Sequence, residues 1–162
     1  QLNMAKQLTP KTALNRAQWL CGQREKCVSE IKLKLSQWGI NNEDGLAIIK
    51  SLENDGFIDE TRYALTFARD KARFNKWGPR KIEMALRAKR IADDNIQNAL
   101  LEIEQFTNIE NLTELLTKKA RTIKYKDKYD FKNKLLRFAI SRGFDYAKVM
   151  EVIDGVIDEY KT

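Results

Sequence analysis

Residues 82–91 read IEMALRAKRI, and the phrase recurs as IKLKLSQWGI at 31–40 and LLRFAISRGF at 135–144. Its fixed positions are Ile31, Leu35, Gly39 and Ile40; then Ile82, Leu86, Arg90 and Ile91; then Leu135, Ala139, Gly143 and Phe144, spaced 51 and 53 residues apart. Beyond each phrase the apolar positions stay in step: Ile48, Ile49 and Leu52, then Ala99, Leu100 and Ile103, then Val152, Ile153 and Val156. Apolar residues three and four apart mark helices that bury one side. One supersecondary unit has therefore been tripled, which predicts an extended binding surface built by stacking.

The helix signals fill in the unit. Helices are expected from Lys11 to Arg24, from Ser29 (as N-cap, with Val28 and Leu33 as a hydrophobic staple) to Gly39, and from Asn42 to Gly56. The second copy reads as a helix from Asp59 through Phe74, a helix opened by Gly78-Pro79, and a closing helix capped by Asp93. The third reads as a helix over Glu110 to Tyr125, one from Asp130 to Gly143, and a last one capped by Asp145. No alternating β-branched runs are present. The expectation is an all-α chain of nine helices in three tandem three-helix repeats, homeodomain-like or helix-turn-helix-like, arranged in an elongated arc. Residues 1–10 form a polar lead; the repeats occupy 11–56, 57–106 and 107–162.

Charge is split the same way in each copy. The net charge is +7, and it runs +5 over residues 1–36, −5 over 37–60, +8 over 61–90, −6 over 91–116, +8 over 117–142 and −3 over 143–162. Each unit opens basic and closes acidic. Stacked in series, such units either line up a positive surface for nucleic acid or an acidic partner, or pair opposite charges with their neighbours.

Helical projection selects the outward cations. With Tyr63, Phe67 and Phe74 inward and Ala64 beside them, Arg62, Arg69, Arg73 and Lys76 fall on the far side, where carboxylates at pairing distance are few. In the next helix Arg80 and Arg87 face out around Met84, and Lys89 lies nearer the core. In the third unit Leu112, Leu115, Leu116, Ala120 and Ile123 leave Lys118, Arg121, Tyr125 and Lys128 outward. Cations interleaved with an aromatic suit phosphate contact and base stacking, or an acidic protein surface.

Catalytic equipment is missing from this pattern. The chain has no histidine and two cysteines, so imidazole-based zinc sites and Ser/His or Cys/His nucleophiles are absent. Cys21 reads as a small buried hydrophobe, and the cysteine usage fits a reducing cytoplasm. Asp93 and Asp94 read as helix-start residues, Gly78-Pro79 as helix punctuation, and Trp19, Trp38 and Trp77 as packing between helices. No membrane span or signal peptide is visible. The expectation is a non-enzymatic, cofactor-free, soluble cytoplasmic monomer.

The segment from Leu52 to Ile91 resembles the RecX family of recombination regulators. The resemblance rests on Leu52, Gly56-Phe57, Asp59-Glu60, Arg62-Tyr63-Ala64, the basic stretch Arg69 to Lys76, Gly78, and the basic helix Arg80 to Ile91. Ser29-Glu30, Leu35 and Gly39-Ile40 extend it upstream; Arg142-Gly143-Phe144 continues it more weakly downstream. Arg90 departs from the glycine usual at that place. The resemblance implies a protein that binds the RecA recombinase, lies in the groove of its filament on DNA, and restrains ATP hydrolysis and strand exchange, with weak direct DNA binding and no membrane role. The other reading of the same residues is a stand-alone DNA-binding protein with helix-turn-helix-like repeats.

Overall fold

The three phrases form the same turn. In the computed structural model, which describes residues 7–161, each ends a helix and folds back on it. The Ile40 N–H donates to the Leu35 carbonyl at 3.0 Å, Ile91 to Leu86 at 3.1 Å, and Phe144 to Ala139 at 3.1 Å. Between each pair sits a residue in the left-handed region: Gly39 at φ +76, Arg90 at +59 and Gly143 at +94. The closing hydrogen bond satisfies a carbonyl the helix leaves free and drives the following apolar side chain back toward the core.

Among the described residues the chain is helical throughout, in the order α1 (Pro10–Gln23), α2 (Val28–Gln37), α3 (Asn42–Asn54), α4 (Glu60–Phe74), α5 (Pro79–Ala88), α6 (Asp93–Glu102), α7 (Glu104–Thr107), α8 (Ile109–Ala120), α9 (Lys128–Ser141) and α10 (Tyr146–Lys161). The extra helix over the nine expected is the single turn α7, held by the buried Thr107 hydroxyl donating to the Ile103 carbonyl at 3.2 Å. Of the expected polar lead, residues 1–6 lie outside the described residues; Gln7 and Leu8 bond to the end of α2 through Gly39 and Trp38 carbonyls.

Several helix starts move by one to three residues, each for a local reason. Cys27, not Ser29, is the N-cap of α2: its N–H donates to Glu30 Oε1 at 3.2 Å, so Glu30 closes a capping box. Leu33, assigned to a staple, is exposed. Ala92 precedes α6, leaving Asp93 in the first turn. Asp127 caps α9 by accepting from the Asp130 N–H at 2.8 Å, and α8 stops at Ala120, five residues before Tyr125. Asp59 caps α4 as expected, accepting from the Arg62 N–H; Asn108, not singled out in the sequence, caps α8 by accepting from the Asn111 N–H, and Asp145 Oδ1 accepts from the Ala147 N–H at 3.3 Å.

Three cores run along the chain. The first gathers Ala13, Ala17, Ile31, Leu35, Ile48, Ile49, Leu52 and Ile58. The second is built on Tyr63, Ala64, Ala68, Ala72, Ile82, Leu86, Ile91, Ile96, Ala99 and Ile103, and takes in Cys27 from the unit before it. The third centres on Phe131, Leu135, Phe144, Val149, Ile153 and Ile157. At about 1.5–3 kcal/mol per buried large side chain, a core of this size is modest, so joints between units matter. The total accessible surface, 10660 Å² for 18.9 kDa, exceeds the roughly 8,300 Å² of a compact monomer of this mass, as an open arrangement of small units requires.

Candidate binding groove between the second and third units

The alanine ladder of α4 decides which side of the helix is wet. Ala64, Ala68 and Ala72, four apart, are buried and let α4 approach α6 closely. Phe74, expected inward, is the last residue of α4 and lies out of the core: it is 71% exposed. Arg69, Arg73 and Lys76 are exposed on the same outer surface. The Arg73 guanidinium lies 5.2 Å from the Phe74 ring centroid and 5.6 Å from that of Phe106, a cation stacked between two aromatic faces.

Where α4 meets α8 these groups converge. A groove of about 360 Å³ is walled by Arg73, Phe74 and Lys76 on one side and by Asn111, Glu114 and Lys118 on the other, with Phe106 and Phe144 among its apolar lining. Lys118 sits 3.0 Å from Glu114, and its hydrogen bond and charge hold the Glu114 carboxyl below the usual range. Arg73 and Lys76 make no ion pair within 4.0 Å among the described residues, though the Lys76 charge also acts on the Glu114 carboxyl. Three cations against one carboxylate leave the groove net positive, beside the exposed Phe74 ring and the half-buried Phe106 ring. Lys76 is held at its rim by a left-handed backbone, φ +57.

The remaining expected contacts lie elsewhere, and most are already engaged. Arg62 reaches back to the first unit, its Nε 2.6 Å from Glu25 Oε1 and its Nη2 donating to the Gly56 carbonyl at 3.0 Å. Arg87 pairs with Glu83 at 2.8 Å and Asp93 at 2.6 Å. Arg80 lies 3.5 Å from Asp145 of the third unit, and Arg69 3.7 Å from Glu102. The scarcity of carboxylates expected around the second unit's arginines is therefore corrected: Glu83 pairs with Arg87 within α5 itself, and Glu25, Asp93, Glu102 and Asp145 come from outside the arginines' own helices, invisible to a single-helix projection. Arg121 is exposed just past the end of α8, and Lys128 is the first residue of α9. Tyr125 belongs to the loop between them, its ring 4.3 Å from that of buried Phe131.

Sequence reasoning missed Phe74, Phe106 and Asn111 as groove residues. It also missed the joint beneath the groove. The Gly78 N–H donates to the Arg142 carbonyl at 2.6 Å and the Arg80 N–H to the Gly143 carbonyl at 2.9 Å, while Arg142 Nη1 donates to the Asn75 carbonyl at 2.8 Å. Free N–H groups at the start of α5 are thus satisfied by free carbonyls at the end of α9. A Cβ on Gly78 would stand 2.5 Å from the Gly143 oxygen. At the other joint, Ser29 Oγ donates to the Lys89 carbonyl at 2.8 Å, and Lys89 Nζ lies 3.6 Å from Glu30. Burial acts to raise the Glu30 pKa, but hydrogen bonds from Cys27 and the Lys89 charge outweigh it, so the carboxyl sits low.

Fold and groove together define a tandem three-helix-repeat protein with a cationic, aromatic surface. Family models for the second and third three-helix domains of RecX match residues 59–100 and 107–153, together more than half of the chain. The chain belongs to the RecX family. It is 30% identical over 130 residues to the regulatory protein RecX of Clostridium botulinum (strain Alaska E43 / Type E3), covering 79% of this chain and 60% of that relative. It is 29% identical over 147 residues to that of Prosthecochloris aestuarii, covering 91% and 95%. The chain thus spans about 60% of the length of the clostridial relative. The crystal structure of RecX from Lactobacillus salivarius superposes with a TM-score of 0.75 at 23% identity, over 93% of this chain and 95% of that one. A second RecX crystal structure gives 0.80, also at 23% identity, over 90% and 71%. No helix among the described residues is long and apolar enough to cross a membrane.

Proposed function

We propose that this chain is a cytoplasmic, non-catalytic regulator of homologous recombination and DNA repair that binds the RecA filament on DNA as a monomer and restrains its ATP hydrolysis and strand exchange. The observation that carries the reading is the groove between α4 and α8, where Arg73, Lys76 and Lys118 surround the exposed Phe74 ring and the half-buried Phe106 ring. Charge supplies attraction to acidic protein surface or filament phosphates, and the rings supply contact area that a solvated helix face lacks. Arg69, one turn before Arg73, and Arg121 extend the positive surface to either side. Tyr125 and Lys128 add to it from the loop and start of α9. Arg62, Arg80 and Arg87 contribute differently: their ion pairs fix how units and helices sit, and so aim the groove.

Charge reversal separates contact from architecture. Arg69→Glu with Arg73→Glu should abolish inhibition of RecA ATPase while circular dichroism and melting temperature stay near those of the parent, because both side chains are exposed. Retained full inhibition by a folded double variant would remove this groove from the interface.

A further inference from the structure

The first unit carries an aromatic and cationic surface that the filament reading does not use. Ala13 and Ala17 turn α1 into its core, which leaves Trp19 on the opposite side, 62% exposed. This departs from the interhelical packing expected of Trp19, and an indole held in water forfeits burial that the unit could have used. Beside it, between α1 and α2, runs an open groove of about 520 Å³ lined by Arg16, Trp19, Leu20, Lys34 and Trp38 among others. The Arg16 guanidinium stands 5.4 Å from the Trp38 ring centroid. Helix α1 contains no aspartate or glutamate, the groove lining contains none, and neither Arg16 nor Lys34 has an ion-pair partner among the described residues. In the second unit, by contrast, Arg62, Arg69, Arg80 and Arg87 all have one.

We propose that the Trp19–Trp38 groove of the first unit is a stacking site for single-stranded DNA, with a base laid on the exposed Trp19 indole and the flanking phosphates on Arg16 and Lys34. A nucleotide carries a flat ring and an anionic group within one repeat of its chain, so it covers the indole and neutralises the cations together. An acidic peptide satisfies the cations and leaves the indole wet. A duplex offers phosphates but keeps its base faces stacked inside. The binding is indifferent to sequence, since every base has a π-face and the groove offers few fixed hydrogen-bonding groups for base edges.

Titrating the full chain with an oligothymidylate of about 15 nucleotides at low salt, with indole emission as the signal, tests this without any recombinase, so its outcome is independent of the filament reading. Saturable quenching is expected. Trp19→Ala should weaken binding by about tenfold or more, Trp19→Phe should keep most of the affinity, and the Arg16→Ala, Lys34→Ala pair should flatten the salt dependence. Affinity for a duplex of the same length should not change with Trp19→Ala. Should Trp19→Ala alter folding, as read by circular dichroism, the Arg16→Ala, Lys34→Ala pair and Trp19→Phe carry the test. Absence of saturable binding, equal loss on duplex and single strand, unchanged affinity in folded Trp19→Ala, or tighter binding of a polyglutamate peptide than of the oligonucleotide would each overturn the proposal.

Discussion

Arg90 occupies a backbone conformation that suits glycine, φ +59, in the turn where the other two units have Gly39 and Gly143. A left-handed L-residue costs about 1–2 kcal/mol. Arg90→Gly is therefore expected to stabilise the protein by about 1 kcal/mol, raising the melting temperature by roughly 2–4 °C; thermal unfolding checks it. The sequence showed this position as the odd member of a repeated phrase, and the conformation there is as the repeat required. Single-residue environments were less legible where two patterns compete. In α4 an aromatic stripe through Tyr63, Phe67 and Phe74 and an alanine ladder through Ala64, Ala68 and Ala72 both have helical spacing. Both contribute to the core: Tyr63 is buried with the ladder and Phe67 packs against it, while Phe74, the last residue of α4, falls outside with Arg73 stacked on it.

The phrase that closes a helix in each unit also joins units, and this gives two predictions about helix ends. Gly78 opens α5 against the carbonyls that close α9, with no room for a side chain. Gly78→Ala should cost about 1–3 kcal/mol through forced separation of backbones, seen as a lower denaturant midpoint and faster hydrogen exchange at the Arg80 amide. At the other joint, Glu30 caps α2 and faces Lys89 of the second unit. Its folded pKa lies below the unfolded value. Its stabilisation is accordingly present above the unfolded carboxylate pKa of about 4.3 and lost as pH falls through the folded value. Glu60, whose pKa is raised by burial, works in the opposite sense, so the difference between parent and Glu30→Gln is the informative quantity. That difference in melting temperature should be largest near neutral pH and shrink on acidification below about pH 4. The nine longer helices and their order were readable from period and caps; the single turn α7 was not. Starts were displaced at Cys27, Ala92 and Asp127 because the residues read as caps, Ser29, Asp93 and Asp130, sit inside the first turn, where spacing alone confuses them with the cap. The glycine-to-glycine joint was not readable at all, since it is made by backbone groups 64 residues apart in number between Gly78 and Arg142.

Taken whole, the molecule spends much of its charge on its own shape. Alternating basic and acidic segments were visible in the sequence, and two explanations stood open: a continuous positive surface, or pairing between neighbours. Both operate, in different places. Arg62 with Glu25 and Arg80 with Asp145 tie successive units, while Arg73, Lys76 and Lys118 converge on a groove that no carboxylate neutralises fully. Exposed pairs of this kind contribute little each to stability, so their larger effect is on the angle between units. A surface larger than a compact monomer requires gives the chain length over which to span a partner with its own repeat. Co-sedimentation of the chain with RecA filaments on DNA, against bare DNA, at low and high salt, puts this to the test. Binding is predicted to be much tighter to the filament than to bare DNA, to persist in part at high salt because ring faces contribute, and to be lost with Arg69→Glu, Arg73→Glu. Equal binding to filament and bare DNA, or undiminished filament binding by that variant, would contradict it.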